Sequence, residues 1–299
     1  EAQVSLAAPR RSTAPGQYWH CDTIPLDKCW DGARHALVMV DDFSRKVYVY
    51  ALKNKTGEII VEALHHHFLQ CGSSPTGLTF YAHRMTLKSD QGSEFINAKV
   101  HAFCDKIGCI QEFSCPGGGK WQNGTCERRI KDLGIVTRSI MYTSDMPHAA
   151  GMYALYQAAD ILNALPTTTN AGGSDSCGLP PDYVYDKSEF VPAHWFAFGS
   201  YCTVHLDSEH LDKDKRVTAT ECVYLCQAHH RGASGHVVWD YKNNRKLTVP
   251  SITTAQWNYF PRRPEGQRHL SDMLTFVSPA CAPAPHAMSD VEKQTASLG

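Results

Sequence analysis

The sequence predicts an α/β fold, in which a mixed β-sheet is flanked by helices and followed by a small β-rich region. Two apolar runs, residues 35–40 and 46–52, flank a polar turn and therefore predict a β-hairpin. Helical and strand-like segments then alternate between residues 56 and 165, and short β-like runs return after residue 190. A hairpin followed by alternating strands and helices is typical of a mixed sheet with helices packed on it.

The composition is that of a soluble globular protein with enough residues for one large or two modest domains. The chain has 299 residues, of which 42% are hydrophobic and 20% are charged. No apolar run approaches the roughly 20 residues that a membrane span needs, and the N-terminus lacks the apolar core of a signal peptide. We therefore expect an intracellular protein without a membrane partner. Because the net charge is −1, a nucleic-acid site needs local clustering of Lys and Arg.

Twelve cysteines are present, but their pattern does not favour disulfide bonds. The sequence has no Cys-x-x-Cys pair, the spacings are irregular, and a chain of this length does not need covalent staples. We expect most of these side chains to be reduced, buried and apolar in behaviour.

The first predicted strand covers residues 18–24 and carries Asp22 near its end. Residues 1–16, which are rich in Ala, Arg, Ser and Pro, are interpreted as a leader or linker. In the hairpin turn that follows, Asp41 and Asp42 are interpreted as turn formers, because short acidic side chains favour turns.

A helix is predicted over residues 56–71, where apolar side chains recur at helical spacing. The strand predicted at residues 85–89 then carries Asp90 at its C-terminal end. We expect the next helix to begin at Ser93 and to end at Gly108, with Glu94 as a residue of its first turn rather than a ligand.

Short elements surround a glycine-rich segment in the middle of the chain. A strand is predicted at residues 110–113, and three consecutive glycines after Pro116 predict a mobile loop. The helix after this loop carries Glu127 in its first turn, and a further helix is expected from about Ser144 to Leu165.

These segments predict five regions along the chain. They are a leader at residues 1–16, a core at 17–166, a linker at 167–190, a small β-rich region at 191–262 and a disordered tail at 263–299.

Three acidic residues are candidate metal ligands: Asp22, Asp90 and Glu127. Carboxylates bind hard divalent cations such as Mg²⁺, and two such ions can activate an attacking oxygen and stabilise a leaving oxygen in phosphoryl transfer. Two of these acids lie near strand ends, where a sheet holds ligands rigidly, and the third lies on a helix. For any one of them alone, a structural role at a turn or helix terminus is the better interpretation.

The helix that carries Glu127 has two different faces. Glu127, Lys131 and Arg138 fall on one stripe of a helical wheel, so an acidic candidate ligand shares its face with two cations that could contact phosphates. Arg128 lies at the border of this stripe. Arg129 projects toward the apolar side, and we expect it to splay outward.

Several motifs, in this order, resemble the integrase region of a Copia-type long-terminal-repeat retrotransposon polyprotein. The similarity covers roughly residues 12–262 and is carried by HCD, VMVDDFSRKVYVYALKNKT, LKSDQGSEF, QNGTCERR and SYCTVH. The resemblance implies a ribonuclease H-like core with a five-stranded mixed sheet, and a catalytic triad of Asp22, Asp90 and Glu127 that holds two Mg²⁺ or Mn²⁺ ions. It implies DNA partners, namely the element ends and a target duplex, and a homo-oligomer on DNA. The expected location is a cytoplasmic particle first and the nucleus when the protein acts on DNA.

The sequence departs from the family pattern in three respects. The spacing between Asp90 and Glu127 is one residue longer than usual, and Gln91 stands where Asn is usual. The His-His-Cys-Cys zinc module that normally precedes the core is absent from this sequence, so we expect a fragment or a trimmed copy.

Candidate DNA contacts and a second function complete the sequence-based predictions. The alternative interpretation of the candidate DNA contacts is that they form a solvated surface. A metal site at His65–His67, or at the Cys and His residues of 222–230, is disfavoured by poor spacing. The alternative function is a catalytically silent, retrotransposon-derived module for nucleic-acid binding or assembly. The candidate nucleic-acid contacts are Lys88, Lys120, Asn123, Arg128, Lys131 and Arg138.

Overall fold

A computed structural model describes seven segments of the chain: residues 12–72, 85–114, 124–167, 178–188, 196–205, 219–231 and 234–256. By their internal contacts the residues divide into two units. The first unit comprises Glu1–Val136 and Ala158–Phe190, and the second comprises Thr137–Gln157 and Val191–Gly299. The boundaries derived from the sequence stay predictions.

The first unit contains a five-stranded mixed sheet. Its strands are β1 (Tyr18–Pro25), β2 (His35–Asp41), β3 (Val47–Leu52), β4 (Thr86–Ser89) and β5 (Ile110–Phe113). Their order is β3-β2-β1-β4-β5; β1, β2 and β3 pair antiparallel, whereas β1, β4 and β5 pair parallel. This is the ribonuclease H-like arrangement, so the predicted fold class is confirmed.

Five α-helices lie within the described residues, and two of them contribute to both units. They are α1 (Gly57–Gly72), α2 (Ala98–Ile107), α3 (Gly124–Ser144), α4 (Gly151–Ala164) and α5 (Pro181–Asp186). The first part of α3, up to residue 136, belongs to the first unit, and the rest belongs to the second. The first part of α4, up to residue 157, belongs to the second unit, and the rest belongs to the first. None of these helices is long and apolar enough to cross a membrane.

Two predicted helix starts are wrong, for local reasons. The second helix begins at Ala98 rather than Ser93, because the Asn97 side chain accepts a hydrogen bond from the Lys99 amide and caps the helix there. The fourth helix begins at Gly151, since Ser144 still belongs to the end of α3.

The core of the first unit lies between the sheet and the helices α1 and α2. Fully buried side chains of β1 and β2, such as Trp19 and Leu37, pack with Leu64 of α1 and Val100 of α2. Each such burial contributes about 1.5–3 kcal/mol. Consecutive buried residues in β1 and β2 hold these two strands in the core.

The helix α5 is attached to this unit by a buried ion pair. The Lys46 ammonium lies 3.0 Å from an Asp182 carboxylate oxygen and 2.9 Å from one of Asp186. The ring of Tyr185, also from α5, is buried in the hydrophobic core. Residues 181–186, which the sequence places in a linker, thus pack against the sheet.

The turn between β2 and β3 is built by acidic side chains, as predicted. Buried Asp41 accepts hydrogen bonds from the amide and the hydroxyl of Ser44, each at 2.7 Å, and from the Gly16 amide at 2.8 Å. Asp42 bonds the Arg45 guanidinium at 2.7 Å, and Arg45 itself has a left-handed φ of 68°. The interpretation of both aspartates as turn formers is confirmed.

The second unit contains an antiparallel five-stranded sheet. Its strands are β6 (Tyr201–His205), β7 (Ala219–Gln227), β8 (His236–Asp240), β9 (Arg245–Val249) and β10 (Thr254–Gln256), in the order β10-β6-β7-β8-β9. Cys202, Cys222 and Tyr224 are buried in its core. The predicted β-rich region is present.

The described cysteines behave as the sequence predicts. Nine of them are both buried and free of disulfide bonds within the described part of the chain. They contribute small apolar volume to the two cores.

Candidate active site

The ends of two neighbouring parallel strands bring Asp22 and Asp90 together. The β1–β4 ladder pairs Tyr18 with Thr86, and this register continues to the pair His20 and Lys88. The ladder ends at this pair, and Asp22 and Asp90 each lie two positions beyond it in the sequence. Asp22 is half-buried within β1, and Asp90 is exposed directly after β4.

The electrostatics of Asp22 show that acidic side chains surround it. Its pKa is raised to about 6, mainly because burial disfavours the charged form, and the Thr23 amide, which donates to Asp22 Oδ1 at 2.7 Å, partly opposes this. The negative charges of Asp90, Glu94 and Glu127 raise the pKa further, in that order. The other two predicted acids therefore act on Asp22, and Glu94 acts on it as well.

A glycine turn orients Asp90. The Gly92 amide donates to Asp90 Oδ1 at 3.0 Å. A Cβ atom on Gly92 would lie 2.8 Å from Glu94 Oε2 and 3.0 Å from Asp90 Oδ1, distances too short for ordinary contact. The lack of a side chain here lets the two carboxylates face the same small space.

Glu94 is a residue of this site, and its interpretation as a helical residue is wrong. It lies in a turn that precedes the cap of α2, and only 8% of it is exposed. Its Oε1 accepts hydrogen bonds from Thr23 Oγ1 and Lys55 Nζ, each at 2.9 Å. The signal in the sequence is the Gly92 turn, which brings the side chain four positions after Asp90 back toward it.

Glu127 is placed by the first turns of α3. It is exposed, whereas the adjacent Cys126 is fully buried. Arg129 is buried and its Nε donates to the Arg45 carbonyl at 3.1 Å, so the expectation that Arg129 splays outward is wrong. The Arg45 guanidinium also contacts Thr125 Oγ1 at 3.4 Å. Contacts on both sides of Glu127 thus tie its helix to the β2–β3 turn.

Comparison with known proteins identifies the part of the chain that carries this geometry. Residues 12–118 match the family model described as the integrase core domain. The matched range contains Asp22, Asp90 and Glu94, and it ends before Glu127.

Relatives of the integrase core occur in transposons and retroviruses. The Pol polyprotein from transposon TNT 1-94 of Nicotiana tabacum is 25% identical over 211 residues, which are 70% of this chain and 14% of the polyprotein. The Gag-Pol polyprotein of avian reticuloendotheliosis virus is 26% identical over 133 residues, 42% of this chain and 11% of that polyprotein. The chain thus spans less than a fifth of either polyprotein's length.

A similar solved structure is the simian T-cell lymphotropic virus intasome in complex with PP2A regulatory subunit B56 gamma. It is 16% identical, with a TM-score of 0.47, and the match covers 83% of this chain and 81% of that chain.

The DNA contacts predicted from the sequence fall into three groups. Lys88 is paired with Glu112 at 3.0 Å, and only 12% of its side chain is exposed, so it is poorly placed for a phosphate. Lys120 and Asn123 lie outside the described residues. The third group is exposed on α3 and forms no ion pair with another described residue; it comprises Arg128, Lys131 and Arg138.

The donor atoms of the candidate site suit a hard divalent cation. Carboxylate oxygens are the ligands that Mg²⁺ and Mn²⁺ prefer, and a bound cation would offset both the burial and the neighbouring negative charges that raise the pKa of Asp22. Within the described residues, no group of three His, Cys, Asp or Glu side chains is arranged closely enough to hold a metal ion. The residues fit the ion in charge and chemistry, and ligation requires the carboxylates to draw closer.

Proposed function

We propose that this chain is the catalytic part of a Copia-type retrotransposon integrase. It would trim the 3′ ends of the element's DNA and join them to a target duplex, with Asp22, Asp90 and Glu127 as catalytic ligands of two Mg²⁺ or Mn²⁺ ions. The proposal is supported by the parallel pairing of β1 with β4, whose last pair lies two positions before both Asp22 and Asp90, and by the charges of Asp90 and Glu127, which act on buried Asp22.

The reaction is a displacement at phosphorus. An oxygen nucleophile, water in end processing and a DNA 3′-hydroxyl in joining, forms a new bond to phosphorus while the bond to the bridging 3′-oxygen of the attacked strand breaks. Bound divalent ions would lower the pKa of the nucleophile and offset the charge on the leaving oxygen. The protein supplies carboxylates on rigid strand ends, so no covalent intermediate with a side chain is needed.

DNA binding would use the cations beside the third acid. Arg128, Lys131 and Arg138 are exposed on the same helix as Glu127 and are suited to phosphate oxygens. We also propose Lys120 and Asn123, which precede this helix in the sequence, as DNA contacts. A homo-oligomer on the DNA ends, acting in the nucleus, completes the proposal.

The proposal is tested with the whole chain, Mn²⁺ and a labelled duplex that carries the element's terminal sequence. Asp22→Asn, Asp90→Asn and Glu127→Gln should each reduce nicking and joining to background while the far-ultraviolet circular dichroism is unchanged. Asp105→Asn is the matched control, because its carboxylate is exposed on α2, and it should retain activity. Undiminished activity in Glu127→Gln would remove that residue from the mechanism.

The same experiment separates the catalytically silent module from the enzyme. A silent module would bind the duplex, leave it intact under all metal conditions, and show no Mn²⁺ uptake that depends on Asp22 and Asp90. Wild-type nicking that is lost in the three variants would exclude it.

A further inference from the structure

Glu94 connects the strand that carries Asp22 with the turn that carries Asp90. Its Oε1 accepts from the hydroxyl of Thr23, the residue that directly follows Asp22. The amide of the same Thr23 donates to Asp22 Oδ1 at 2.7 Å. Thr23 therefore transmits the position of Glu94 to the carboxylate of Asp22 through two hydrogen bonds.

The second oxygen of Glu94 lies beside Asp90. Glu94 Oε2 and Asp90 Oδ1 are both within 3.0 Å of the point that a Cβ on Gly92 would occupy. The buried Glu94 carboxylate therefore bonds to the residue that follows Asp22 and lies beside Asp90.

Lys55 balances the charge that Glu94 adds. Its ammonium lies 2.9 Å from Glu94 Oε1, and 41% of its side chain is exposed against 9% of that of Glu94. This ion pair lowers the pKa of Glu94 despite its burial, so Glu94 stays charged. Without the lysine, uncompensated carboxylates would face one another at the end of the sheet.

We propose that Glu94 is a positioning residue for the metal ligands, acting on Asp22 through Thr23, with Lys55 as its counter-ion. The inference rests on the proposed function and extends it to a residue outside the triad. Partners that orient metal ligands typically contribute 10–100-fold to metal affinity when they are removed one at a time.

The test measures Mn²⁺ affinity by calorimetry on the whole chain, so the readout does not depend on catalysis. Glu94→Ala and Thr23→Val should each weaken Mn²⁺ binding by roughly tenfold. The double variant should be no weaker than the worse single variant, because both changes break the same connection. Glu94→Gln should retain most of the affinity, since its amide oxygen can still accept from Thr23.

A matched control is available in the same unit. Glu58 forms an exposed ion pair with Lys99, so Glu58→Ala removes a Lys–Glu pair away from the strand ends. This variant should bind Mn²⁺ as the wild type does. Thermal unfolding of every variant shows whether it is folded, and if Glu94→Ala does not fold, Thr23→Val and Glu94→Gln decide the result.

Failure of this inference differs from failure of the proposed function. Wild-type Mn²⁺ affinity in a folded Glu94→Ala or Thr23→Val, with uptake abolished in Asp22→Asn, would overturn the role of Glu94 and leave the triad intact. The role of Glu94 would also be overturned if the losses of Mn²⁺ affinity in Glu94→Ala and Thr23→Val added up fully in the double variant. If the wild type itself takes up no Mn²⁺ that depends on Asp22, both the proposed function and the positioning role are wrong.

Discussion

Arg129 and Arg45 are joined by a hydrogen bond, in which Arg129 Nε donates to the Arg45 carbonyl oxygen at 3.1 Å. Two cationic residues can meet here because the acceptor is a backbone carbonyl, while the Arg45 guanidinium is neutralised by Asp42 at 2.7 Å. The bond fastens the helix of Glu127 to the turn between β2 and β3. The position of the third candidate ligand therefore depends on a hairpin that contains no ligand itself.

Replacement of Arg129 should destabilise the protein and displace Glu127. Arg129→Met removes a buried hydrogen bond to a charged group, so we expect the free energy of unfolding to fall by about 1–3 kcal/mol, measured by urea denaturation. Strand transfer should fall as well. Arg128→Met is the control, because Arg128 is exposed, and its effect on stability should stay within about 0.5 kcal/mol. Equal effects of the two changes would contradict the anchoring role.

His67 should make stability depend on pH. It is fully buried, with Nδ1 2.8 Å from the Tyr50 hydroxyl, and burial lowers its pKa to about 3. In the unfolded chain a histidine has a pKa of about 6.5, so between pH 6.5 and pH 3 the unfolded state binds a proton that the folded state does not. The free energy of unfolding should therefore fall as the pH drops through this window.

Comparison with His67→Gln isolates this effect. Between pH 7 and pH 5 the wild type should lose about 2 kcal/mol more than the variant, measured by urea denaturation at each pH. His65→Gln, at an exposed position of α1, should retain the pH dependence of the wild type. Parallel curves for the wild type and His67→Gln would show that this side chain does not titrate as expected.

Removal of Lys46 should leave two carboxylates without their cation. Lys46→Met should lower the free energy of unfolding by about 2–3 kcal/mol, less than the roughly 3–5 kcal/mol for a fully buried pair, because Asp182 and Asp186 are partly exposed. When Asp182→Asn and Asp186→Asn are combined with Lys46→Met, part of the lost free energy of unfolding should be restored. Lys99→Met, from an exposed pair, should cost less than about 1 kcal/mol. A similar loss in both single variants would argue against a buried link between β3 and α5.

DNA binding should depend on α3 more than on β4. Lys131→Ala should reduce the slope of log affinity against log salt by about 1, because one phosphate contact is lost. Lys88→Ala should leave the slope unchanged, since Lys88 is paired with Glu112. Fluorescence anisotropy with a labelled duplex over a range of salt concentrations measures both. A larger change of the salt slope for Lys88→Ala than for Lys131→Ala would indicate that the DNA lies along β4 instead.

The strands and the acids near their ends could be predicted from sequence because they depend on local pattern. The apolar runs at residues 35–40 and 46–52 are separated by turn residues. Asp90 directly follows the strand-like residues 85–89. The burial of Glu94 and Arg129 could not be predicted from the local pattern, because their partners lie far away in the sequence, although the Gly92 turn is a local signal that Glu94 faces Asp90. Glu94 is buried by contacts with Thr23 and Lys55, and Arg129 is turned inward by a carbonyl 84 positions earlier. Helical periodicity carries no information about such partners.

The place of β1 in the sheet has a consequence for biosynthesis. It is the first of these strands to leave the ribosome, yet it lies in the middle of the sheet, between β2 and β4. A nascent chain can pair β1 with β2, and β2 with β3, early, because their connections are short, while the other edge of β1 stays unpaired until β4 is made. During that interval the open edge can pair with another unfinished chain, so aggregation during translation is the characteristic hazard of this topology.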